Sequence, residues 1–325
     1  MARRCLGIPR FCREVLGVEL RGARLVVAYS AGLDSTALLH MLHLLRTPLN
    51  LTIVAAHAHH GLRPESDQEL EHAQAVCSGL DIPLRTTRLD VPALKAASGR
   101  GLEECARQAR YAFLDSVRRE HQADWIVTAH HGDDLAEDIV MRLLRGTGWP
   151  GLGGMPGIDP CRSLLRPLLG LEKSELRAFL EETGTGWCED MSNTSTDRTR
   201  NRIRHDILPL LRRENPSFFR TSMQLWTLAR IDEEYWSQQL PDLPAPERDF
   251  MLDQTMLEAH QAMRLRLYKA ILDSMGPGQA LADHLLLLDK AWMRKNCGRT
   301  IQFPGDKIAS VEPAGIRFHF QKRTP

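Results

Sequence analysis

The sequence predicts an α/β protein: a parallel-sheet nucleotide-binding domain followed by a smaller, mainly helical C-terminal domain. Three observations carry that prediction. Between residues 24 and 145, short apolar runs alternate with stretches of helical spacing, the pattern of parallel strands covered on both faces by helices. Two of those runs end in polar, small-residue segments, at the carboxyl ends of strands where open α/β sheets bind their ligands. From about Phe218 the strand signals vanish and apolar residues recur at helical spacing to about Trp292.

Taken in order, Arg24-Leu-Val-Val-Ala-Tyr29 is the first strand and Thr36 to Arg46 its helix. Leu51-Thr-Ile-Val-Ala-Ala56 and Glu65 to Leu80 form the second pair. Pro83 to Leu89 is the third strand, with a long helix from Gly101 to Glu120. Trp125-Ile-Val-Thr-Ala129 is the fourth, and Asp134 to Arg145 its helix. Gly146 to Pro160 holds six glycines and three prolines, so it is a loop, and long loops of this kind are more often functional than idle. Ser163 to Leu169 and one more helix lead to the polar stretch Glu189 to Asp197 and then to an Arg-rich helix. Pro241 to Pro246 breaks the helical part, and Thr300 to Phe320 ends the chain with short β-like runs. The expected division is 1–217 and 218–325.

The 325 residues suit about two domains. Lys and Arg number 42 against 41 Asp and Glu, a net charge of +1, which excludes a polybasic tail and an acidic disordered chain. Nucleic acid stays open, because a local basic patch matters more than the sum. No run of 18 apolar residues suggests a membrane span, and Pro9, Arg10 and Arg13 interrupt any signal-peptide core. The seven scattered cysteines never pair as Cys-x-x-Cys. They suit reduced cytoplasmic thiols, not a disulfide frame, zinc ribbon or iron–sulfur site.

Ser30-Ala-Gly-Leu-Asp-Ser35 lies between the first strand and its helix. Backbone N–H groups of a small-residue loop at a helix start cradle phosphate. Asp34 would repel that phosphate unless a divalent cation bridges them, so it implies Mg²⁺. The plainer alternative is a βα turn with a capping side chain. Thr128-Ala-His-His-Gly-Asp-Asp134 holds the same place after another strand, with Glu137 on the helical face of Asp133 and Asp134. Two histidines and two carboxylates are costly to bury there without a ligand, although acids also suit a helix start. His57-Ala-His-His-Gly-Leu-Arg63 ends the second strand similarly, but no His-Glu-x-x-His or Cys/His spacing supports zinc. Gly146-Thr-Gly-Trp-Pro-Gly151 spells a dinucleotide fingerprint by coincidence, since it follows a helix and carries a proline. Arg107, Arg110 and Tyr111 share one side of a helix. Arg198, Arg200, Arg202, Arg204, Arg212 and Arg213 form the densest basic cluster, either a solvated face or a phosphate-binding one.

Together these segments resemble the N-type ATP pyrophosphatases, or PP-loop superfamily, and within it the tRNA(Ile)-lysidine synthetases. Ser30 to Ser35 is similar to the superfamily's Ser-Gly-Gly-x-Asp-Ser loop. The remaining resemblance lies in His57 to Arg63, Glu104 to Tyr111, Thr128 to Asp134, Leu143 to Gly148, Gly151 to Met155, Arg166 to Leu169, Trp187 to Asn193 and Arg200 to His205. It implies a fold like the adenine nucleotide alpha hydrolases over the first domain, and beyond it the family's first C-terminal domain, a tRNA-binding one, without the second. It also implies ATP-dependent ligation of free lysine to the wobble cytidine of an isoleucine tRNA, with Mg²⁺. On that resemblance Ser30, Ala31, Gly32, Leu33, Asp34, Ser35, His57, His60, Arg107 and His130 would surround ATP. Asp34, Asp133, Asp134 and Glu137 would be catalytic, with Asp34 and Asp134 on the metal. Arg110, Arg142, Arg145, Arg200, Arg202 and Arg204 would meet tRNA. Ala31 stands where the family has glycine, and Leu135 and Asp138 where it has Gln and Thr. A cytidine thiolase of the same superfamily and a non-catalytic nucleotide- or tRNA-binding relative are the rival readings; a homodimer is one alternative for the assembly.

Overall fold

Alternation within the apolar runs builds the central sheet. Strand β1 (Arg24–Ala28) sends Leu25 and Val27 to one face and Val26 to the other. Strand β2 (Thr52–His59) divides Ile53 and Ala55 from Val54 and Ala56 in the same way. Both faces are therefore apolar, as a parallel strand requires. In a computed structural model of the chain, the described residues are 2–59, 65–90, 93, 101–189, 199–241, 249–276, 278 and 280–321. They form two compact units, one of Met1–Asp138 with Met155–Met223 and one of Ile139–Gly154 with Gln224–Pro325. The stretch 139–154, expected in the first domain, clusters with the second unit.

In the first unit β3 (Leu84–Arg88), β4 (Trp125–Val127), β5 (Ile158–Asp159) and β6 (Leu164–Leu165) complete a six-stranded sheet of order β3-β2-β1-β4-β6-β5. Every pairing is parallel except β5 with β6. Helices α1 (Ala2–Glu14), α2 (Leu33–Leu49), α3 (Glu65–Gly79) and α6 (Lys173–Thr183) pack on one face through Ile8, Leu38, Met41, Cys77, Leu176 and Phe179. Helix α4 (Leu102–Glu120) covers the other through Leu114 and Val117. Helix α5 (Gly132–Leu144) follows β4. The strand order reverses between β1 and β4, so the loops after them meet at the sheet's switch point, where such folds place ligands. The expected Arg-rich helix is broken: α7 (Thr199–Arg202), a π-helical turn (Ile203–Ile207), then α8 (Leu208–Glu214).

The second unit contains α9 from Gln224 onward (the helix spans Phe218–Gln239), β7 (Phe250–Asp253), α10 (Gln254–Leu257), α11 (Gln261–Ser274), α12 (Ala282–Met293), β8 (Thr300–Phe303), β9 (Lys307–Glu312) and β10 (Gly315–Phe320). An antiparallel sheet of order β7-β10-β9-β8 packs Ile316, Phe318 and Val311 against Tyr268, Ile271 and Leu288 of the helices. Strand β7 corrects the expectation that strand signals are absent from 218 to 292. Its four residues are too few to show a period of two, and it exists because β10 pairs with it. The N-terminal helix α1 was likewise not anticipated. Among the described residues no helix is long and apolar enough to cross a membrane.

Candidate active site

The Ser30–Ser35 loop is held by its own hydroxyls. Ser35 Oγ accepts from the Ser30 N–H at 3.1 Å, lies 3.0 Å from Ser30 Oγ, and donates to the Gly32 carbonyl at 3.1 Å. Buried Thr36 donates to the Ala31 carbonyl at 3.2 Å, and the Cys188 N–H donates to the same oxygen at 2.9 Å. Ala31 sits at φ +66°, the left-handed region, and is fully buried. Gly32 is the N-cap of α2, and no side-chain hydrogen bond caps that helix. Its first N–H groups suit an anion. The side chain of Leu33, a loop residue placed at the nucleotide on resemblance, joins the apolar core.

Opposite, the end of β4 gathers charge. Buried His131 lies 3.5 Å from Asp34, 3.5 Å from Asp133 and 3.4 Å from Asp134. Burial alone would lower its imidazole, but Asp134, Asp133 and Asp34 outweigh that and raise it to about 10. Burial pushes Asp133 and Asp134 up. For Asp133, His131, the Lys173 N–H and Arg212 win, and for Asp134, His131 and Arg200 do, so both remain ionised below the usual carboxylate range. Asp133 accepts from the Lys173 N–H at 2.8 Å and from Arg212 at 2.5 Å. Asp134 accepts from the His131 N–H at 3.1 Å, from Arg200 at 2.9 Å and from Arg204 at 3.3 Å. Glu137, its side chain 1% exposed, takes Arg200 Nε at 2.8 Å and Arg204 Nε and Nη2 at 2.5 and 2.9 Å.

Arg200 and Arg204, expected on tRNA phosphates, are thus the ion-pair partners of the acids expected to act on lysine and metal. Buried carboxylates this close together need such counter-charges. Arg202 points elsewhere, exposed, with Nη2 donating to the Thr199 hydroxyl at 3.1 Å. Arg142 donates to the Gly151 carbonyl at 2.8 Å, and exposed Arg145 follows it; both belong to the second unit. His60, Arg198 and residues 190–197 lie outside the described residues.

A cleft of about 320 Å³ opens beside the loop, lined by Ser30, Asp34 and Ser35, by Ala56, His57 and Ala58 of β2, by Arg110, Tyr111 and Leu114 of α4, and by His130 and Asp134. Apolar and polar residues both line it, a mixture that suits a nucleotide. His57 Nδ1 is 3.0 Å from the Tyr29 carbonyl, and His130 Nδ1 is 2.8 Å from the Thr128 hydroxyl. Burial holds His130 down to about 4 against the pull of Asp134, so it is neutral. Exposed Arg107 lies on α4 with its guanidinium 5.2 Å from the Tyr111 ring.

For a cation, Asp34 fits. Its Oδ1 is buried without a hydrogen-bond partner, and Oδ2 lies 3.6 Å from Lys173 Nζ. Among the described residues no three His, Cys, Asp or Glu side chains cluster as a metal cage, but Mg²⁺ uses only one or two carboxylates beside phosphate oxygens. Asp134, the other residue placed on the metal, has both oxygens already engaged. Lys173 and His131 were missed as site residues. A signal existed for Lys173: it opens α6, where a cation opposes the helix dipole.

A PP-loop domain model matches residues 10–211. The chain is 45% identical to the tRNA(Ile)-lysidine synthase of Nitratidesulfovibrio vulgaris over 96% of each chain. It is 38% identical to the protein of that name from Geobacillus kaustophilus over 68% of this chain, and 35% identical to that of Bacillus subtilis over 67%. The chain spans about half the length of those two relatives, 48% and 47%. The fold is similar to that of the U34-tRNA thiolase NcsA from Methanococcus maripaludis, with a TM-score of 0.58 and 16% identity over 75% of this chain and 82% of that one. The chain belongs to the PP-loop proteins and, within them, to the tRNA(Ile)-lysidine synthase family.

Proposed function

We propose that this protein is a cytoplasmic ligase that uses ATP to join free lysine to carbon 2 of the wobble cytidine of an isoleucine tRNA with a CAU anticodon. The product is lysidine, and codon reading changes from AUG to AUA. The observation that carries this reading is the meeting of an uncapped phosphate-type loop with Asp34, Asp133, Asp134 and Glu137 at one switch point, in a chain 45% identical to a named synthase over nearly its whole length. In the first step the carbonyl oxygen at cytidine carbon 2 attacks the α-phosphorus of ATP and pyrophosphate leaves. In the second, the lysine ε-amine attacks carbon 2, AMP leaves and the amine gives up a proton.

The residues divide that work. Ser30, Gly32 and Ser35 hold the departing pyrophosphate with N–H and O–H donors. Asp34 would hold Mg²⁺, which supplies charge neutralisation at the phosphates. Lysine arrives as an ammonium, with a solution pKa of about 10.4, so its site must bind a cation and then help deprotonate it. Asp133, Asp134 and Glu137 would bind that cation and accept its proton; the arginines now on them mark where a cation is accepted. A rival thiolase reading finds no Cys-x-x-Cys in the chain. Incubating the protein with ATP, lysine and tRNA(Ile), then digesting the tRNA and weighing its nucleosides, tests the reading. A nucleoside equal to cytidine plus lysine minus water is expected. Unmodified cytidine, with or without pyrophosphate release, would overturn it.

A further inference from the structure

Three guanidinium groups collect around one tyrosine beside the cleft, a fourth from Arg166 is close enough to interact with it, and two carboxylates, Asp159 and Asp138, accompany them. The Arg107, Arg110 and Arg162 guanidinium carbons lie 5.2, 5.5 and 5.2 Å from the centre of the Tyr111 ring. Arg107 and Arg110 precede Tyr111 on α4, while Arg162 comes from the turn before β6. Arg166 is buried, 6% exposed, and donates to the Pro156 carbonyl at 2.7 Å, yet its Nε is buried without a partner. Burial lowers the Arg166 guanidinium against the pull of Tyr111, Asp159 and Asp138, and Arg107 nearby lowers it further. Asp159 forms a salt bridge with Arg162 at 3.2 Å. The Tyr111 hydroxyl is also buried without a partner.

Asp159 and Asp138 compensate part of the charge of these four arginines. The ring's negative face offsets part of their repulsion, and the rest calls for an anion. Two unmatched buried donors, Arg166 Nε and Tyr111 Oη, ask for acceptor atoms of the same kind. The planar forks of arginine suit the paired oxygens of a phosphate.

We infer that Tyr111, Arg107, Arg110, Arg162 and Arg166 form a clamp for a phosphodiester of the RNA substrate next to the nucleotide being modified. Tyr111 is a positioning residue there, holding the guanidinium groups in place. An RNA phosphodiester is favoured over the triphosphate of ATP for two reasons. The Ser30–Ser35 loop and the uncapped start of α2 already provide a cradle for ATP. The cluster also grades from buried Arg166 to Arg162, whose side chain is 53% exposed, and a polymer backbone must enter from solvent. The inference rests on the proposed tRNA substrate.

The test uses the full-length protein with tRNA(Ile), and measures tRNA affinity across a salt series and ATP affinity separately. Arg162→Ala and Tyr111→Leu should each weaken tRNA binding by about 5–10-fold and reduce the log–log salt slope by roughly 0.7–0.9 for each phosphate left without its guanidinium. ATP affinity of Arg162→Ala, whose side chain does not line the nucleotide cleft, should stay within about twofold of wild type. Tyr111→Phe keeps the ring and removes only the hydroxyl, so it should keep the slope; this separates positioning from folding damage. Weakened ATP binding with unchanged tRNA binding would assign the cluster to the triphosphate and overturn the clamp. Unchanged slopes in Arg162→Ala and Tyr111→Leu would also overturn it. If wild-type protein binds tRNA(Ile) and makes no lysidine, the catalytic reading fails while the clamp is still judged by variant against wild type.

Discussion

Ala31 shows how one side chain can record a functional demand. An L-residue in the left-handed region costs about 1–2 kcal/mol, and Ala31 is there at φ +66° with its carbonyl taken by Thr36 and Cys188. The chain keeps its loop shape in spite of the Cβ. Ala31→Gly should therefore raise stability by about 0.5–1.5 kcal/mol, less than the full strain because glycine also frees the unfolded chain. The urea midpoint should rise with an unchanged slope; a lower midpoint would mean the loop is not strained. Asp34 makes the opposite trade. Its buried Oδ1 makes no hydrogen bond and has only the His131 imidazole, 3.5 Å away, to offset that cost, which a bound cation would offset further. Asp34→Ala should leave the fold intact and slow tRNA adenylation by ~10²–10³ or more, read as tRNA-dependent ATP–pyrophosphate exchange. Exchange at near wild-type rate would remove Asp34 from the reaction.

Between elements, charge ties pieces that sequence spacing cannot connect. Glu137 on α5 meets Arg200 on α7 and Arg204 on the π-helical turn, partners 63 and 67 residues away. Glu137→Gln removes the charge that holds both, and should cost about 1–3 kcal/mol in stability. Lysine transfer should fall while ATP–pyrophosphate exchange is retained. A parallel loss of both would place Glu137 with the nucleotide. In the second unit Lys307 does comparable work without a carboxylate. Its ammonium donates to the carbonyls of Leu272, Gly276 and Gly278 at 2.6, 2.7 and 3.1 Å, using all three N–H bonds to close the end of α11. Lys307→Met should cost about 2–4 kcal/mol, seen as a lower thermal midpoint, and a neutral result would mean those carbonyls find other donors. The buried runs of β1, β2 and β4 were legible because both their faces are apolar, and the two loops after β1 and β4 because polar small residues end those runs. Strand β7 was not legible, since only pairing with β10 makes it a strand. Nor was the acid–arginine lattice: side chains on the two partners look alike in sequence whether they face solvent or each other.

At the scale of the whole molecule, a net charge of +1 means that long-range attraction to RNA has to come from local patches. The arginines from Arg198 to Arg213 were one such patch on sequence grounds, and the structure sorts Arg202 from Arg204. Arg204, its side chain 26% exposed, is committed to Glu137 and Asp134, whereas Arg202, at the end of α7 just before the π-helical turn, is exposed. A half-buried guanidinium committed to two carboxylates releases no counterion when RNA binds, whereas an exposed one lies where a phosphate can reach it, and contact there adds to the salt dependence. Arg202→Ala should lower the log–log salt slope of tRNA binding by about 0.7–0.9 and leave the urea midpoint unchanged within about 0.5 kcal/mol. Arg204→Ala should do the reverse. It leaves Glu137 buried with one cation, which costs roughly 2–3 kcal/mol, while the salt slope of the folded variant stays that of wild type. Equal slopes for both variants and wild type would return Arg202 to the solvated surface. A reduced slope in Arg204→Ala would show that its ion pairs open to the tRNA.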